Sequence, residues 1–173
     1  AAGLSLVVGL LAYLLALWQP LWSLRLLRLG LTLLLVTAPF LVLLLNQLYG
    51  LHLDFWNAAN ADTRLQIWSL TVIEILDRPW LGYGIEAVRD FGNWGRVRGH
   101  PHNGILQVWA EFGLVGILLV AAGLRRLLQR VGKSPLILQP VLLAGFVAWL
   151  VVFCVGYSNW QSWWMATAAA LVM

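Results

Sequence analysis

A chain of 173 residues that is 61% hydrophobic and only 10% charged, with a mean hydropathy of +0.82, lies outside the composition of a soluble globular domain. Its apolar runs are long enough to cross a hydrocarbon core of ~30 Å, which takes about 20 helical residues apiece, while 16 glycines and 11 tryptophans suit helices packed in lipid rather than the weak alternating segments of a transmembrane barrel. The net charge of +4 is therefore a topology signal before it is a partner signal, and no nucleic-acid partner is expected.

The expected fold is an all-α polytopic membrane protein, and because the sequence starts and stops inside apolar stretches it reads as a piece of a larger one. Residues 1–45 hold two predicted transmembrane helices, 4–18 and 29–45, the second kinked at Pro39. The linker between them carries Arg25 and Arg28 and no acid. Residues 46–103 form a long loop, and residues 104–173 hold two further spans, 105–124 and 135–156, before a short outer loop and the start of another span. Their linker carries Arg125, Arg126, Arg130 and Lys133, again without an acid. By the positive-inside rule both basic linkers are cytoplasmic, which puts the long loop on the outer face. Its five arginines against six acids suit export. Trp160, Trp163 and Trp164 in YSNWQSWW are expected interfacial anchors on the same side. Cys154 lies in an apolar run and, as the only cysteine, has no intrachain disulfide partner.

A loop of this length carries structure or function of its own. Thr63 and Gln66 spell a capping box, Asp62 is an alternative cap, and Leu65, Trp68, Ile73 and Leu76 follow at helical spacing, so a helix is predicted over 63–77. Arg78-Pro79 stops it, and the glycines of RPWLGYG mark a turn. Glu74 and Arg78 are spaced as a favourable i, i+4 pair with a structural role.

Arg64 stands in the first turn of that helix, where the macrodipole opposes a cation. Free amides beside a guanidinium suit a phosphate or diphosphate; pairing with Asp62 is the structural alternative. Arg96, Arg98, His100 and His102 alternate in RVRGHPHN. In extended backbone they share one face, where they suit an anionic substrate and a proton acceptor, or else meet lipid phosphates. No third ligand accompanies His-x-His, so no metal is expected. His102 and Asn103 open the next span, Asn103 as an N-cap, and a helix start keeps His102 neutral enough to act as a general base. Asn103, Gln107 and Glu111 recur every four residues and descend ~12 Å along one face. Glu111 at that depth must face protein or water, as a functional group or in a buried ion pair. Gly113 and Gly116 are expected to let a neighbouring helix approach.

The stretch HNGILQVWAEFGLVG, His102 to Gly116, resembles the H-N-x-x-L-Q-x-x-x-E-x-G-x-x-G signature of the O-antigen ligase and polymerase superfamily. RPWLGYG and the Arg64-x-x-x-Trp68 pair resemble it too, in the same order within the same loop. The resemblance implies a GT-C-like helical bundle in the bacterial inner membrane with a large helical periplasmic loop and its active site on the periplasmic side. It further implies a metal-independent, cofactor-free inverting glycosyltransferase. The donor would be a glycan on undecaprenyl diphosphate, and the acceptor a lipid A core or another glycan. On this basis His102 is the base, Arg64 holds the diphosphate, Arg96, Arg98 and His100 supplement the positive field, and Asn103 and Glu111 support the site. An O-antigen polymerase and a bicarbonate-transporter-like relative are the alternatives. A transporter more typically gathers its polar residues on broken helices at the bilayer midplane.

Overall fold

The computed structural model describes residues 2–48, 64–88 and 101–156. Every extended element among them is a helix: α1 (Ala2–Trp18), α2 (Pro20–Leu48), α3 (Arg64–Asp77), α4 (Gly104–Val131) and α5 (Gln139–Val155). Two of these, α2 from Trp22 onward and α4, are long and apolar enough to cross a membrane, whereas α1 and α5 are apolar helices of 17 residues. The helices α2 and α4 run in opposite directions. One end of the bundle holds the start of α2 and the end of α4, joined where the Arg28 guanidinium donates to the Leu128 carbonyl. The other end gathers the starts of α3 and α4 with the end of α5, where Arg64 donates to the Val155 carbonyl.

Burial follows a membrane logic. The buried face of α1 is Ser5, Gly9 and Ala16, while its leucines point outward. A Cβ on Gly9 would stand 3.2 Å from the Ala144 carbonyl oxygen and from the Ala148 Cβ, so small residues let α1 and α5 approach closely. The core lies between α2, α3, α4 and α5, around Leu35, Ile75, Leu106, Ile117 and Phe146.

Helix bounds differ from the expected ones at the basic end. Only Gln19 separates α1 from α2, so Arg25 and Arg28 sit in the first turns of α2 rather than in a linker. Likewise α4 continues past Leu124 to Val131 and carries Arg125, Arg126 and Arg130 on its last turns. A long apolar helix with arginines at its end meets no penalty for extending beyond the hydrocarbon, and cations near a helix C-terminus favour its dipole. Arg28 adds to that by bonding a terminal carbonyl of α4 from the neighbouring helix.

Pro39 lies within α2 and has no N–H for the Leu35 carbonyl, four residues earlier. The Trp109 indole of α4 donates to that carbonyl at 2.8 Å in the buried interior. A helix freed of one internal bond is thereby stitched to its neighbour, which is how proline is accommodated in membrane helices.

Candidate functional site

At one end of the bundle the chain enters α4 through Pro101, His102 and Asn103. Asn103 has extended backbone, and its side-chain oxygen accepts from the amides of Ile105 and Leu106 at 3.1 and 3.2 Å. The expected N-cap is thus formed and buried. His102, just before it, has a φ of 50°, a left-handed conformation uncommon outside glycine. The Pro101 carbonyl is tied to α3 by the Trp68 indole at 2.6 Å. This bond joins the two sequence motifs, Arg64-x-x-x-Trp68 and His102-Asn103, at one place.

Arg64, at the first position of α3, lies within electrostatic reach of His102. The imidazole is held below its ordinary pKa of 6.5, first by burial and then by that guanidinium. Both causes favour the neutral ring near pH 7. Arg64 itself remains exposed. An exposed guanidinium, the start of a helix and a neutral imidazole therefore share one end of the bundle. Arg96, Arg98 and His100 lie outside the described residues, as do Asp62 and Thr63. Among the described residues no three metal-ligating side chains cluster.

Below this end lies a buried polar column on α4. Gln107 donates its side-chain amide to Glu111 at 3.0 Å, and Glu111 is only 1% exposed, about two turns beyond Asn103. On α3, Glu74 is also buried, at 4% exposure, and accepts from the Tyr83 hydroxyl at 3.4 Å. The Arg78 guanidinium lies 4.7 Å over the Tyr83 ring. Glu74 thus belongs to the interior. Its position was legible in the helical period, since it falls three or four residues from Leu70 and Thr71, both buried. Tyr83 had no comparable signal, because its place depends on how the turn folds.

The turn folds onto a break in α4. Gly113 has φ 59°, ψ −156°, which interrupts the helix and opens its backbone groups. The segment Pro79–Gly84 fills the opening: Tyr83 N–H donates to the Ala110 carbonyl at 2.9 Å and Gly84 N–H to that of Glu111 at 2.8 Å. In return Leu114 N–H donates to Pro79 at 2.8 Å and Val115 N–H to Trp80 at 3.2 Å. Gly82, with φ 66°, faces Glu111, and any Cβ there would strike α4 backbone. The RPWLGYG turn and the glycine of the His102-to-Gly116 motif are two halves of one joint. Gly113 therefore admits this turn, where a neighbouring helix was expected.

An apolar cleft of about 250 Å³ adjoins the joint, lined by Val36, Pro39, Phe40, Ile75, Leu76, Pro79, Trp80, Trp109 and Leu114.

Helices with apolar side chains exposed on the outside, arginines at one end, Arg64 and His102 at the other and a buried polar column beneath these have the pattern of a helical membrane protein. The chain belongs to the O-antigen ligase family, whose model matches residues 1–121. It is similar to proteins provisionally named polysaccharide ligases: one from Rickettsia conorii, 26% identical over 121 residues, covers 62% of this chain and 29% of the relative. Another from Rickettsia prowazekii is 28% identical over 119 residues, 61% of this chain and 29% of the relative. A third from Rickettsia bellii is 27% identical over 122 residues, 63% and 30%. The chain thus spans under a third of the length of these relatives. No solved structure matches it significantly.

Proposed function

We propose that this chain forms the catalytic end of a bacterial inner-membrane glycosyltransferase of the O-antigen ligase type, working on the periplasmic side on a glycan linked to undecaprenyl diphosphate. The observation that carries this reading is the neutral-favoured imidazole of His102 beside Arg64 at the start of α3. In the proposed reaction the acceptor hydroxyl gives its proton to the His102 imidazole as its oxygen attacks the anomeric carbon. The bond from that carbon to the diphosphate oxygen breaks, and the electron pair leaves with the diphosphate. Inversion at the anomeric carbon follows from a single displacement. Arg64 and the positive end of the α3 dipole stabilise the departing charge. Arg96, Arg98 and His100 precede His102 by two to six residues and would add to the same positive field.

Asn103 and Glu111 act through others on this reading. The Asn103 oxygen is occupied in capping α4, which sets the direction of His102, and Glu111 with Gln107 stiffens the helix beneath it. The cleft lined by Trp80, Trp109 and Phe40 has a wholly apolar wall, which suits the isoprenoid part of a lipid-linked donor. The names of the relatives favour ligation over polymerisation.

The test uses the full-length protein, purified, with undecaprenyl diphosphate glycan and either lipid A core or a second lipid-linked repeat as acceptor. Product with the lipid A core supports a ligase, and product only with the second repeat identifies a polymerase. His102→Ala should lower turnover by about 10² to 10⁴-fold, the usual loss of a general base, at unchanged abundance in the membrane. Near-normal turnover by the alanine variant would remove His102 from the chemistry.

A further inference from the structure

We propose that residues 64–88 form a re-entrant element. On this reading α3 and the turn after it enter the bilayer from the site end, reach its middle, and present Trp80, Leu81 and Ile85 to lipid acyl chains. The depth follows from the backbone pairing. The turn is bonded to residues 110–115 of α4, which begin six residues beyond Gly104, or ~9 Å along the helix, and end ~17 Å along it. At its far end α4 carries Arg125, Arg126 and Arg130, which belong among headgroups. The stretch from Gly104 to Leu124 has one ionisable residue, the buried Glu111, and at ~1.5 Å per residue it matches the ~30 Å hydrocarbon core. The joint at Gly113 lies near its centre.

A second helix places the turn at the same level. Trp80 and Pro79 share a cleft with Pro39 and Phe40 of α2, nine residues from the end of that helix at Leu48, ~13 Å inward. Trp80, Leu81 and Ile85 are 68%, 72% and 67% exposed. Large apolar side chains are also exposed on both neighbours near this level: Phe40 on α2, and Val115 and Leu119 on α4. Acyl chains are the occupant that covers all of these together.

Irregular backbone survives at such depth only if its polar groups are paired. Here the break at Gly113 supplies the pairing, since amides of Tyr83 and Gly84 and carbonyls of Pro79 and Trp80 are all bonded to α4. The charged groups need a different neighbour. Glu74, Asp77 and Arg78 gather around Tyr83, and exposed Asp77 and Arg78 at mid-depth require water or protein. The element therefore has two edges, an apolar one against lipid and an ionic one bordering a water-filled space. This inference does not depend on the glycan-transfer reading.

The experiment uses the full-length chain with Cys154→Ala, reconstituted in phosphatidylethanolamine and phosphatidylglycerol vesicles. Single nitroxides are placed through Leu81→Cys, Ile85→Cys and Asp77→Cys, with Leu119→Cys and Lys133→Cys as lipid and water references. Relaxation by oxygen should exceed that by a nickel chelate at 81 and 85 in the ratio seen at 119, and the order should reverse at 77, as at 133. Nickel dominance at 81 and 85 would place the turn outside the bilayer. Exclusion of both reagents there would mean that protein covers the apolar edge, and oxygen dominance at 77 would remove the water-filled space. Each result overturns the corresponding part. The chain without nitroxides provides a second measurement: a lipid bearing a diazirine in its acyl chain should modify the peptide 79–88 as well as 115–119. Modification of 115–119 alone overturns the lipid contact.

Discussion

Gly82→Ala should be among the most damaging small substitutions in this protein. A Cβ at Gly82 would lie 2.5 Å from the Glu111 carbonyl carbon and 2.6 Å from the Ala110 oxygen and Phe112 nitrogen. All three are backbone atoms of α4, so no rotamer change relieves the contact. The φ of 66° adds about 1 to 2 kcal/mol for any residue with a Cβ. Displacing the turn would endanger four backbone hydrogen bonds, each worth about 1 kcal/mol net. A loss of roughly 3 to 5 kcal/mol follows. Two other glycines separate the causes. Gly84 has φ 100° with nothing within 4 Å of its added Cβ, so its alanine variant carries backbone strain alone. Gly123 is helical and open, so alanine there is neutral or stabilising by up to about 1 kcal/mol. The assay is the thermal midpoint of the detergent-solubilised full-length protein, followed by the monodisperse fraction on size exclusion after heating. The expected order of loss is Gly82→Ala, then Gly84→Ala, then Gly123→Ala. Equal midpoints for the Gly82 and Gly123 variants would refute the joint between the turn and α4.

Trp109→Phe should cost about 1 to 3 kcal/mol by leaving the Leu35 carbonyl unpaired in the interior. In a Pro39→Ala background the restored N–H takes over that carbonyl, so the same substitution should cost markedly less; equal losses in both backgrounds would sever the link between Pro39 and Trp109. The lowered pKa of His102 has a definite sign for activity. The base is active when neutral, so the rate should hold at pH 7 and fall only as pH drops through a midpoint below 6.5. Arg64→Gln removes one of the two causes of that lowering, so the midpoint should move upward whatever happens to the maximal rate. An unmoved midpoint would mean that Arg64 does not act on His102. Arg64→Lys keeps the charge but loses the guanidinium fork, so it should retain more donor use than Arg64→Ala, read as less lipid-linked glycan accumulating in cells.

Composition and periodicity by themselves determined that the chain is helical, with helices apolar enough to cross a membrane, that α3 stops before Arg78-Pro79, and that Asn103 caps α4. These are local matters: apolar length, a capping side chain two or three residues from its amides, and a proline after the last turn. The ordered motifs also sufficed to point to the family. The tertiary structure alone decided what the glycines and the proline are for. Gly82 and Gly113 stand 31 positions apart in sequence and matter because their backbones meet, while the Leu35 carbonyl, orphaned by Pro39, is answered by an indole 74 residues away. Glu74 shows the same division, for helical spacing put it on the Leu70 face, but only the packing of α3 against α2 and α4 made that face the buried one. Backbone hydrogen bonds between distant segments leave no periodic trace in a sequence, because any residue can supply the amide and carbonyl; what remains visible is the glycine that the close approach requires.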